Sequence, residues 1–111
     1  MTDRFHERLA SLTEDAGLAM SRLAGGAAVC TFSRAGIAVP GIKYAEGRWA
    51  ALREVHRRAS TGGAEPDVAE QVLTSWQAQL AAVEQREAGR DWIAYRTGGV
   101  DALTELLDVD A

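Results

Sequence analysis

Between Gly25 and Arg58 the hydrophobic period changes from two to about 3.6, and that change most limits what the chain can fold into. Ala28, Cys30 and Phe32 alternate with Val29, Thr31 and Ser33, the pattern of a strand with one buried face. Arg34-Ala35-Gly36 then precedes Ile37-Ala38-Val39. Three loop residues ending in glycine suit a hairpin whose last loop residue takes a positive φ. Pro40-Gly41 stops the second strand, because proline cannot donate to a ladder and Pro-Gly fits a type II turn. The expectation is a β-hairpin over 27–39.

The same stretch runs straight into a helix over 43–59. Ala45, Trp49, Leu52, Val55 and Ala59 share one face, while Lys43, Arg53, Arg57 and Arg58 lie opposite, relieved by Glu46 and Glu54. Residues 43–58 carry net charge +3 and residues 91–111 carry −4, the largest charge asymmetry in the chain. Arg48 falls inside the apolar face. An arginine there must extend past its neighbours to water, pair with a carboxylate, or serve a ligand. Pairing with Glu87 is expected, because a short connection should set this helix antiparallel to the next.

Two further stretches have helical period. Phe5, Leu9, Leu12, Ala16, Ala19, Met20 and Leu23 make one stripe over 2–24, closed by Gly25-Gly26, with Leu18 pointing away. After the turn at 60–64, Pro66 suits the first turn of a helix over 66–88, whose stripe is Ala69, Val72, Leu73, Trp76, Leu80 and Val83. Gly89 and the pair Gly98-Gly99 read as breaks, which leaves short helical turns over 91–107. The expected class is therefore α+β: one domain of three main helices plus short C-terminal turns, with a hairpin between the first two helices.

Net charge is −4, so bulk attraction to nucleic acid or an anionic membrane is not expected. One cysteine in 111 residues excludes an intramolecular disulfide and a cysteine-rich zinc site. The N-terminus is charged rather than signal-like, and cytoplasmic is the default expectation. Eleven arginines against one lysine reflect a GC-rich, bacterial type of genome and carry no functional reading.

No catalytic, cofactor or metal motif is present in the sequence. Cys30 shares the apolar strand face and reads as a small buried hydrophobe. His6 and His56 stand in no metal-ligand spacing, and the glycine pairs belong to no phosphate loop. His6 reads as part of a solvated flank and His56 as a core-edge residue. By elimination the expected function is a small non-enzymatic protein-binding module (an adaptor, regulator, inhibitor or immunity-type protein), working as a homodimer through its hairpin edge. Its candidate binding residues are Arg34, Lys43, Arg48, Arg53, Arg57 and Arg58, with no cofactor. One alternative is a nucleic-acid-binding regulator using the basic helix 43–58. The other is a small ligand-binding protein or enzyme with a pocket formed by Tyr44, Arg48 and His56.

Overall fold

The computed structural model describes residues 2–23, 41–87 and 89–108, and these form four helices. They are α1 (Thr2–Leu23), α2 (Ile42–Ala59), α3 (Glu65–Gln85) and α4 (Arg90–Leu107). The α+β class gives way to an all-helical one, since no strand occurs among the described residues. The expected hairpin 27–39 lies outside the described residues, as does Arg34.

The count of three main helices is also corrected. Arg90–Leu107 is one continuous helix that runs through Gly98-Gly99. Glycine inside a helix costs about 1 kcal/mol relative to alanine, and packing supplies the reason for it here. A Cβ built at Gly98 would fall on the carbonyl oxygen of Tyr44, and one at Gly47 on the carbonyl oxygen of Tyr95. A Cβ at Gly99 would run into the Trp76 ring. The two backbones thus meet where each helix offers a glycine to the other.

Helix directions follow from the side-chain pairs. His6 meets His56 and Gly17 meets Trp49, so α1 and α2 are antiparallel. The turn at 60–64 sets α3 antiparallel to α2, as its length implies. Tyr44 reaches Asp101 and Arg48 reaches Glu105, four residues on in both helices, so α2 and α4 run the same way. In a square bundle of alternating helices these two would be diagonal. Here they make the most extensive contact among the described helices, with α1 packed mainly on α2 and α3 mainly on α4.

The core forms around that pair. Leu9 of α1, Leu52 and Val55 of α2, Val72 of α3, and Leu103 and Leu106 of α4 are fully buried. Trp76 is buried beside them, and its indole N–H donates to Glu54 Oε1 at 3.2 Å, which satisfies the one polar group of that ring. α3 ends at Gln85, and Glu87 takes a left-handed φ of 53° and is exposed. It cannot serve on a buried stripe.

Candidate interaction surface

The five described cations of α2 divide into two groups. Lys43 pairs with Glu46 at 3.2 Å, Arg58 with Glu54 at 3.4 Å, and Arg48 with Glu105 at 2.7 Å. Arg53 and Arg57 form no ion pair among the described residues; Arg53 instead lies over the Trp49 ring, 5.6 Å from its centre. Trp49, Arg53 and Arg57 follow one another at intervals of four, so they form a single outward ridge.

Arg48 does find a carboxylate, one of the three outcomes its position allowed, but on α4 rather than at Glu87. A short connection favours α3 as the neighbour of α2, whereas α4 supplies the more extensive surface. Tyr44 lies beside this pair and donates its hydroxyl to Asp101 Oδ2 at 2.6 Å. Burial, and then the hydrogen bond and negative charge of Asp101, raise the Tyr44 phenol above its ordinary value, against the pull of Arg48. Burial opposes the Arg48 charge, but Glu105 outweighs it, helped by Tyr44, and the guanidinium titrates above its usual range. These contacts tie α2 to α4.

His56 does not join them. Its ring meets His6 edge to face, with centres 6.1 Å apart, while His6 Nδ1 lies 2.9 Å from Glu65 Oε2. His6 stays exposed, as its place on a solvated flank implied, and these contacts put it where α1, α2 and α3 meet. Among the described residues no group of three His, Cys, Asp or Glu has the arrangement to hold a metal ion. The proposed trio of Tyr44, Arg48 and His56 is divided, two members facing α4 and one facing α1.

Large apolar side chains remain on the outside: Leu18, Leu23, Trp49 and, at 59% exposure, Trp92. Trp92 lies in the first turn of the continuous helix α4, not in a separate short turn. A stripe of Trp92, Arg96, Val100 and Leu103 at intervals of three and four was there to be read, once the glycine pair is taken as packing rather than as a break. Among the described residues no helix is long and apolar enough to cross a membrane. No family model, curated protein or solved structure matches the chain.

Proposed function

We propose that the chain is a small non-enzymatic module that works by binding another protein through its surface, with a second copy of itself as the first partner to test. The observation that carries this reading is a core completed without Trp49 and Trp92. Fully buried leucines and valines from all four helices close the interior, while two tryptophans stay partly or largely outside. Tryptophan and arginine are enriched where proteins meet, and the Trp49–Arg53–Arg57 ridge combines them on one face.

The nucleic-acid alternative draws less support. Ion pairing of Lys43, Arg48 and Arg58 leaves two α2 cations for phosphate, against the roughly 6–10 contacts of a typical duplex binder.

The test compares the tagged protein with Trp49→Ala and Trp92→Ala variants whose melting is unchanged. Wild type should show a dimer by light scattering at micromolar concentration, or retain a discrete protein from its host, and a variant should lose it. A wild type that stays monomeric and retains no protein that either variant loses would contradict the reading.

A further inference from the structure

Two Trp-x-x-x-Arg pairs occur in the chain, Trp49/Arg53 on α2 and Trp92/Arg96 on α4, and they are used differently. Arg53 covers its own tryptophan. Arg96 turns away from Trp92, with its guanidinium 4.7 Å from the Trp76 ring centre and 5.3 Å from that of Tyr95. Trp92 is left with an edge contact to Tyr95, ring centres 6.3 Å apart, and is the most exposed large apolar side chain described.

Stacking occupies the faces of a guanidinium, whereas its N–H groups point outward in the plane. Arg96 thus gains support from two rings and no acceptor. Its Nε is buried without a hydrogen-bond partner, the one such side-chain atom among the described residues, and no carboxylate there pairs with it. The terminal nitrogens are not enclosed in this way, and the residue as a whole is half-buried. By contrast Arg48, Arg58 and Lys43 each hold a carboxylate. Arg96 is a guanidinium seated over two rings whose terminal nitrogens hold no acceptor among the described residues, one helical turn from an uncovered indole.

We propose that Trp92 and Arg96 form a recognition site for a partner protein's segment in which a single Asp or Glu adjoins an apolar side chain. The carboxylate takes the two terminal nitrogens of Arg96, which unlike Nε are not enclosed, and the apolar side chain lies over Trp92. The partner's charge is limited to a single anion, since residues 91–111 are acidic and Glu84, Glu87 and Asp91 are exposed near the start of α4. A polyanion would be repelled there. This inference rests on the binding-module reading and locates one of its surfaces.

The test is an NMR titration of the full chain with the peptide acetyl-Ala-Leu-Glu-Phe-Ala-amide, its Gln counterpart, and an eight-residue oligothymidylate. The Glu peptide should shift the Trp92 indole N–H and the Arg96 Nε–H saturably, and bind about tenfold more tightly than the Gln peptide, as a charge-assisted pair implies. Arg96→Gln should erase that preference. Trp92→Ala, at an exposed position, should weaken both peptides and leave the fold intact. Equal affinity for the two peptides, tighter binding of the oligonucleotide, or no saturable shift would each overturn the site. A shift confined to Trp49 and Arg53 would overturn it too, yet leave the binding-module reading standing. That reading fails separately, through a monomer that retains no partner.

Discussion

Gly47 and Gly98 decide how close the two central helices come. Each faces a backbone carbonyl of the other helix, so an added methyl meets main chain rather than a side chain that can swing aside. Gly47→Ala and Gly98→Ala should each lower stability by roughly 1–3 kcal/mol, as overpacking does, even after the gain of about 1 kcal/mol in helix propensity. Gly89→Ala is the control: nothing lies within 4 Å of its would-be Cβ, so its cost should stay within the value of an N-cap glycine, under about 1 kcal/mol. Urea unfolding of the three variants checks this. Stability unchanged by Gly98→Ala would mean that the backbones do not meet at that point.

At the scale of helices, the paired rungs Tyr44–Asp101 and Arg48–Glu105 hold α2 and α4 in register. Arg48 is only about one-fifth exposed but Glu105 is about half exposed, so water screens the pair. A double-mutant cycle should return a coupling of about 1 kcal/mol or less. Additive effects would show that the rung contributes nothing to the pairing. Much of this level was legible in the sequence. The stripe from Phe5 to Leu23 gave α1, Pro66 gave the start of α3, and the basic helix began within a residue of α2. A carboxylate partner for Arg48 was among the expected outcomes, and it is Glu105 rather than Glu87. Its partner was missed because a short turn announces an antiparallel neighbour, whereas nothing local announces a parallel one. The glycine pair misled for a related reason: Gly98-Gly99 looks like a break, and only the carbonyl of Tyr44 and the ring of Trp76 show what the missing side chains make room for. The orphaned Nε of Arg96 was equally out of reach, since it depends on three residues from two helices.

At the scale of the whole molecule, α2 and α4 form the centre of the described helices, and α1 and α3 flank them. The interior built by the described residues then needs neither Trp49 nor Trp92. Stability should be graded accordingly, because amides of the most densely packed elements open only with global unfolding. Native-state hydrogen exchange measures this directly. The slowest amides should lie in α2 and α4, with Leu52 and Val55 matched by an unbroken run from Thr97 through Leu103. Fast exchange at Gly98 and Gly99, with α1 or α3 holding the slowest amides instead, would contradict the account.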